Sequence, residues 1–391
     1  MTQLSLTPSR RYSLEAFFER LEEAEDKTAF THGMHPYPAK FIPHIPRRLI
    51  EEFTEPGDLV WDPMAGSGTT LVEATLLDRA AVGTDLNPIA TLVSEAKTTR
   101  LAADEREELR LLVADVARLG EKLARDPHEA VATLPALDEL PSFPNRDHWF
   151  DPQTSRELTH ILLRVSALTS PKSRLIARCA LSAVVVPLSF QESETRWCAK
   201  RREVKMGEAL LRFARVTTRN LAALQLYADA ASQPAKVLQI DARMAPLADD
   251  SVDFVVTSPP YANSHDYYLY NKLRMFWLGY EVGPVQQAEI GSRNRHSDKK
   301  EPIDTYLTSM GQVLGQIRRC LRPGGHAVVV VSDAVIRGEF FDMDRGFREL
   351  GQAADLEVKQ VLSFDHRRFN TTFQRSFGTP RDKKTSVLIF G

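Results

Sequence analysis

The sequence predicts an α/β protein, a doubly wound seven-stranded sheet that is mostly parallel with an antiparallel hairpin at one edge, plus a large helical insertion. Short apolar runs recur along the chain, each followed by a helical stretch. Central runs such as HAVVVVSD are continuously apolar, as strands covered on both faces must be. The strand rhythm also stops after about Arg100 and resumes only near Lys236, leaving a long helical stretch punctuated by Pro141, Pro144, Pro152, Pro171 and Pro187.

The first strand is DLVWDP at 58–63, which ends in a glycine-containing turn, and a helix follows from about Thr69 to Leu77. The second strand, AAVGTDL at 80–86, ends in Asp85 and leads through Asn87 into a helix whose first turn suits Pro88. Residues 1–100 thus form an N-terminal segment and the first half of the sheet domain, 101–235 the insertion, and 236–391 the second half. Inside the insertion, LSAVVVPLSF at 181–190 reads as a strand or a buried helix, which periodicity does not separate. Strands return with KVLQIDA at 236–242, DFVVTSP at 253–259, HAVVVVSD at 326–333, VKQVLSFD at 358–365 and TSVLIFG at 385–391. The last two are joined by a polar segment without a helical pattern, which predicts the antiparallel edge pair.

The chain has 391 residues with 50 Lys plus Arg against 52 Asp plus Glu, so its net charge of -2 does not advertise nucleic acid or membrane binding. Cys179, Cys198 and Cys320 are far apart and form no CxxC, which argues against a disulfide framework or structural zinc and for a reducing, cytoplasmic setting. No metal site is expected. No signal-peptide pattern and no apolar stretch of about 18 residues occurs, so secreted and membrane-spanning classes are not expected.

Chemistry concentrates at the predicted strand ends. Asp62-Pro63-Met64-Ala65-Gly66-Ser67-Gly68-Thr69-Thr70 follows the first strand, where glycines let backbone approach a ligand and the next helix offers free N–H groups. Asp85 ends the next strand about 20 residues on, the spacing at which a carboxylate holds ribose hydroxyls. No GxxxxGK[ST] is present, which disfavours a triphosphate. Asp241 adds a carboxylate at the same edge, suited to an exocyclic adenine amino group or to a helix cap. Thr257-Ser258-Pro259-Pro260-Tyr261 follows DFVV. Its two prolines make a stiff loop, which suits an exocyclic amino nitrogen as nucleophile. The Ser258 hydroxyl and Pro259 carbonyl accept its hydrogens, and Tyr261 stacks on the ring.

Together DPMAGSGTT, TDLNP and TSPPY resemble the DNA amino-methyltransferases that use S-adenosylmethionine, and the Ser at the head of SPPY is similar to the N4-cytosine branch. His35-Pro36-Tyr37-Pro38-Ala39-Lys40-Phe41 resembles the segment these enzymes place before the first strand, over the methionine end of the cofactor. The resemblance covers 30–100 and 236–391 and implies a methyltransferase-type sheet. It implies cofactor contacts from Tyr37, Pro38, Ala39, Lys40, Phe41, Asp62, Pro63, Ala65, Gly66, Ser67, Gly68, Thr69, Asp85, Leu86, Asn87, Asp241 and Ala242, and catalysis by Ser258, Pro259, Pro260 and Tyr261. The implied partner is double-stranded DNA, with any paired restriction endonuclease a separate protein and the enzyme a monomer or homodimer. The insertion matches no motif of the family, and its reading as a target-recognition region rests on size.

Several alternatives stay open. Adenine N6 is the nearest rival, because its amino group also neighbours a ring nitrogen. RNA or a protein glutamine is a further substrate class, and a non-catalytic module would be expected to have lost one of the motifs. Ring-carbon methylation needs a thiolate that usually follows a proline, and none of the three cysteines does.

Local basic segments depart from the neutral average. Residues 191–220 carry eight basic side chains, including Arg196, Lys200, Arg201 and Arg202, against four acidic ones, with Trp197 among them. Residues 291–304, with Arg293 and Arg295, read as a mobile loop. Residues 366–384, with Arg367, Arg368 and Arg375, carry six basic residues against Asp382. Phosphate contact is the expected role of all three. A base within a duplex would have to flip out, at a cost that stacking on Tyr261, with Tyr267 or Tyr268 as further candidates, offsets.

Overall fold

The computed structural model describes residues 13–21, 26–364 and 384–391. Its central sheet contains β1 (Leu59–Asp62), β2 (Ala80–Asp85), β3 (Ala235–Gln239), β4 (Val252–Thr257), β5 (Leu321–Ser332), β6 (Val358–Phe364) and β7 (Thr385–Phe390), in the spatial order β6-β7-β5-β4-β1-β2-β3. β7 is antiparallel to both of its neighbours, and every other pairing is parallel. This is the predicted seven-stranded sheet with its antiparallel edge pair. Connections leaving β1 and β4 diverge in opposite directions along the sheet, which opens a crevice between the carboxyl ends of these two strands.

Besides the single turns Pro127–Ala130 and Arg146–Trp149, the helices are α1 (Leu14–Glu19), α2 (His44–Phe53), α3 (Thr69–Leu76), α4 (Pro88–Thr98), α5 (Ala103–Arg125), α6 (Pro152–Ser166), α7 (Pro171–Leu188), α8 (Glu208–Ala230), α9 (Tyr267–Tyr270), α10 (Lys272–Leu278), α11 (Val282–Ala288), α12 (Ile303–Cys320) and α13 (Met343–Ala353). The Val run of β5 shows why both faces are covered. Val328 and Val330 join Phe254 and Val256 in one core with α1, α2 and α3, while Val329 and Val331 join Val255 in another with α12 and α13. Successive side chains point to opposite faces of a strand, so an uninterrupted apolar run is required when neither face is wet. A third core joins α4 to the helices of 103–230 and to α10. Among the described residues no helix is long and apolar enough to cross a membrane.

The structure departs from expectation at several places, a second small hairpin of Ala334–Ile336 with Glu339–Phe341 among them, and it settles the open reading of 181–190. The fifth strand starts at Leu321, because Val252 pairs with Leu321 and Phe254 with His326, and the Arg322–Gly325 bulge between them turns on Gly324 at φ 77°. Residues 181–188 are the buried end of α7, with Pro187 in its last turn and Ser189 extended at its C-cap, and Ser170 caps the helix by accepting from the N–H groups of Lys172 and Ser173. Burial on every side overrides the strand preference of Val184, Val185 and Val186. The insertion also contains a small antiparallel hairpin, Gln191–Ser193 with Arg196–Ala199. Finally, the expected mobile loop at 291–304 is packed. The buried Asp266 carboxylate accepts from Ser292 Oγ at 2.5 Å and from the Asn294 N–H at 3.0 Å, and His296 is buried.

Within the insertion, α5 and α8 meet at two glycines. Gly207 has φ 80°, and a Cβ on it would collide with the Gly120 carbonyl oxygen. Glu157, 1% exposed on α6, accepts from the N–H groups of Gly207 and Ala209 at 2.7 and 3.0 Å, placing a negative charge on the N-terminus of α8. Gly207→Ala adds backbone strain to overpacking and is expected to lower unfolding free energy by about 2–4 kcal/mol in denaturant titration.

Candidate active site

The turn after β1 is built around two carboxylates, the buried Asp62 and the half-buried Asp85. Asp62 accepts from Thr70 Oγ1 at 2.6 Å and from the Met64 N–H at 3.1 Å, closing the turn onto α3. Asp85 accepts from the Gly66 N–H at 2.9 Å and the Asn87 N–H at 2.8 Å, joining this turn to the start of α4. Asn87 caps α4 by accepting from the Ile89 N–H, with Pro88 in the first turn as expected. Gly66 and Gly68 have φ of 51° and 75°, and a Cβ on Gly68 would approach Ser94 Cβ to 2.5 Å. Glycine therefore lets α3 begin flush against α4.

These elements line an open cavity whose empty volume, with the solvent at its opening included, is about 920 Å³. Of the residues expected to hold a cofactor, Tyr37, Ala39, Lys40, Phe41, Asp62, Pro63, Ala65, Gly66, Ser67, Thr69, Asp85, Leu86, Asn87, Asp241 and Ala242 line it, while Pro38 and Gly68 do not. Ser258 and Pro260 line the same cavity. Pro259 is buried behind them, and the Tyr261 hydroxyl lies 3.4 Å from Ser258 Oγ. Ala39 reaches the wall in the left-handed region, at φ 51°, an uncommon conformation for a residue with a Cβ.

Sequence reasoning missed Met64, Val285, Ala288, Glu289 and Ile290, which complete the lining together with Tyr267. Glu289 accepts from the N–H groups of Tyr267 and Tyr268 at 2.7 and 2.8 Å and so fastens the start of α9 across the cavity, where the Tyr267 ring stacks 6.2 Å from that of Tyr37. No motif marks the 285–290 segment.

Asp241 carries a further surprise. Arg243 donates to it from its backbone N–H and from its guanidinium, at 2.9 Å through Nε and 2.5 Å through Nη2, so this carboxylate is already ion-paired.

The lining is unevenly charged, with Lys40 its one basic side chain and Asp62, Asp85, Asp241 and Glu289 its acidic ones. Burial raises Asp62 and Asp85 to about 6 and Glu289 to about 8. Burial also lowers Lys40, whose Nζ donates to the His32 carbonyl at 3.1 Å. Behind the cavity, burial pushes the fully buried Lys97 down to about 7. A ligand with hydroxyls or a positive charge suits the acidic side, and a carboxylate suits Lys40. Among the described residues no group of three or more His, Cys, Asp or Glu could hold a metal.

The expected phosphate contacts divide. Arg196, Lys200 and Arg201 are exposed on the small hairpin and its exit, Arg196 with an ion pair to Glu192 at 3.3 Å. The Arg202 guanidinium instead caps the end of α7, donating to the carbonyls of Val186, Pro187 and Ser189. Arg293 is exposed, whereas Arg295 pairs with Glu301 at 3.4 Å and donates to the Gln287 and Glu289 carbonyls. Arg367, Arg368 and Arg375 lie outside the described residues. The hairpin packs on α10 through Trp197, whose ring lies 5.5 Å from Lys272 Nζ.

A carboxyl raised from 3.8 to about 6 keeps, in the native state, a proton that the unfolded chain releases near pH 4. Stability therefore falls as pH rises through this window. Asp85→Asn is expected to shrink that fall by about 1–3 kcal/mol between about pH 4 and 6.5, read from urea unfolding at the two pH values. An unchanged slope would show that Asp85 titrates normally.

Comparison with known proteins agrees with the geometry. A family model described as DNA methylase matches residues 9–94 and 252–384. The chain is 26% identical over 270 residues to the Type II methyltransferase M.MvaI of Kocuria varians, covering 64% of this chain and 58% of that protein. It is 39% identical over 80 residues to the Type II methyltransferase M.MjaII of Methanocaldococcus jannaschii, covering 20% and 15%. It is 23% identical over 324 residues to M.BsoBI of Geobacillus stearothermophilus, covering 73% and 60%. The chain thus spans at most 60% of the length of these relatives. Among solved structures, a SAM-dependent methyltransferase from Methanosarcina mazei aligns with TM-score 0.33 and 10% identity over 88% of this chain and 95% of that one. The rRNA methyltransferase aviRa of Streptomyces viridochromogenes aligns with TM-score 0.32 and 12% identity, covering 95% and 92%. With the family model matching more than half of its residues, in two blocks that hold the glycine turn and the Ser258 loop, the chain belongs to the DNA methylase family.

Proposed function

We propose that the chain transfers a methyl group from S-adenosylmethionine to the exocyclic N4 amino group of cytosine in duplex DNA. The observation that carries this reading is the meeting of Ser258 and Pro260 with Asp85 in the lining of one cavity. When bound, the cofactor supplies an electrophilic methyl group on a sulfonium. Asp85 suits its ribose hydroxyls, Lys40 its carboxylate, and Asp62 the side of its amino group. Asp241 reaches an adenine amino group only through the lone pairs that Arg243 leaves free.

At the other end of the cavity the chain provides acceptors. Ser258 Oγ and the Pro259 carbonyl take hydrogen bonds from the amino group of the target base, favouring its lone pair on nitrogen over delocalisation into the ring. Both prolines hold these acceptors in place before the reaction begins, so charge developing on the nitrogen meets oriented dipoles. A duplex base reaches this loop only by flipping out, at a few kcal/mol. Arg196, Lys200, Arg201 and Arg293 supply phosphate contacts, and residues 101–235 are the candidate for sequence recognition. Adenine N6 is the second reading, supported by a family description that does not name the base.

Mass spectrometry of nucleosides from DNA incubated with enzyme and cofactor is expected to find N4-methylcytosine; N6-methyladenine would replace the base assignment. Ser258→Ala is expected to lower kcat about 100-fold or more and to leave cofactor affinity within about twofold. Arg201→Ala is expected to reduce the salt slope of duplex binding by about one unit, whereas Arg202→Ala lowers the melting temperature because it uncaps α7.

A further inference from the structure

Arg274, on α10 beyond the Ser258 loop, is completely buried, yet it carries a charge. Its Nη2 meets Glu194 Oε2 at 2.6 Å, and Glu194 sits in the turn of the basic hairpin. Its Nε donates to the Ser182 carbonyl of α7 at 3.0 Å, and its Nη1 to the Tyr270 carbonyl of α9 at 3.3 Å. Ser182 Oγ in turn bonds His35 Nε2 at 3.0 Å. His35 opens the 35–41 segment whose Tyr37, Lys40 and Phe41 line the cavity. The circuit closes at the far end of α9, where the Tyr267 ring stacks on Tyr37.

One buried cation therefore holds three parts of the molecule in a single arrangement: the hairpin that carries Arg196, the insertion helix α7, and the segment over the cofactor. A buried guanidinium whose carboxylate is withdrawn is left uncompensated, which is strongly unfavourable. Lifting the hairpin away from Arg274 is opposed for that reason, and a ligand that orders either end of the circuit stabilises the other. Linkage makes such an effect reciprocal.

We propose that the Arg274–Glu194 pair couples the seating of the cofactor against residues 35–41 to the grip of the basic hairpin on duplex phosphates, so that each ligand tightens the other. Arg274 and Glu194 act as positioning residues, since neither lines the cavity. The inference rests on the functional reading above.

Its test is the affinity of the full chain for a fluorescent 20-base-pair duplex, a length of about two helical turns, with and without saturating S-adenosylhomocysteine. The unmodified protein is expected to bind the duplex about five- to tenfold more tightly with the product present. Glu194→Gln is expected to reduce that ratio to about twofold or less and to lower the melting temperature, with its affinity for S-adenosylhomocysteine alone unchanged, and Glu194→Asp is expected to restore part of the ratio. An unmodified protein with no coupling, or a Glu194→Gln variant with full coupling, overturns the proposal and leaves the functional reading standing. Failure of the duplex to bind under every condition overturns both.

Discussion

The Asp85 carboxylate is the tie on which the site depends. Its two oxygens take one backbone N–H from the connection leaving β1, at Gly66, and one from the connection opening α4, at Asn87. Left unpaired, each of those N–H groups would cost about 1–3 kcal/mol in a buried setting. Paired to one rigid side chain, they fix the distance between the glycine turn and the start of α4, and Gly66 and Asn87 both line the cavity. The ionised carboxylate is unfavourable there, as its rise to about 6 records. Two oriented donors keep it tolerable, and Asp85 still lines the cavity.

What could be read from the residues followed from strong local physics. All seven strands of the sheet were legible, the central ones because a doubly covered strand has no choice but an unbroken apolar run, as in β5. The turn from Asp62 to Gly68, Asp85 and the Ser258 loop were legible because backbone geometry requires particular residues there. The less local features were hidden. Glu289 reaches the cavity only because α9 and α11 fold back over it, and nothing in its neighbours' chemistry marks the return. The segment at 181–190 was ambiguous because burial on every side erases periodicity. The 291–304 segment looked mobile by composition, while a single buried side chain, Asp266, organises it from 25 residues upstream of its first position, Gly291.

Basic residues show the same limit in another form. Arg202, Arg295 and Arg243 look alike in composition to Arg201 and Arg293, yet the first three are occupied by carbonyls and carboxylates of the chain itself. Counting charge along a segment overstates the surface available to a polyanion. The net charge of -2 is therefore a sum in which many cations are structural. Of the basic residues expected to contact phosphates, Arg196, Lys200, Arg201 and Arg293 are exposed.

The insertion joins the sheet in a way that makes it separable. It leaves after α4 and returns into β3, which pairs with β2 at the outer edge, and the two ends stand beside each other, with Arg100 donating to the Ala231 carbonyl. A segment whose ends are already held together imposes almost no loop-closure entropy on the sheet that carries it, whatever its length. The sheet register and the Asp85 tie are set outside it. The fold thus offers a cassette position, where a different insertion could be exchanged during evolution without recasting the cavity, provided that the core shared with α4 and α10 and the polar contacts of Arg178, Ser182, Glu194, Arg219 and Tyr227 are re-established.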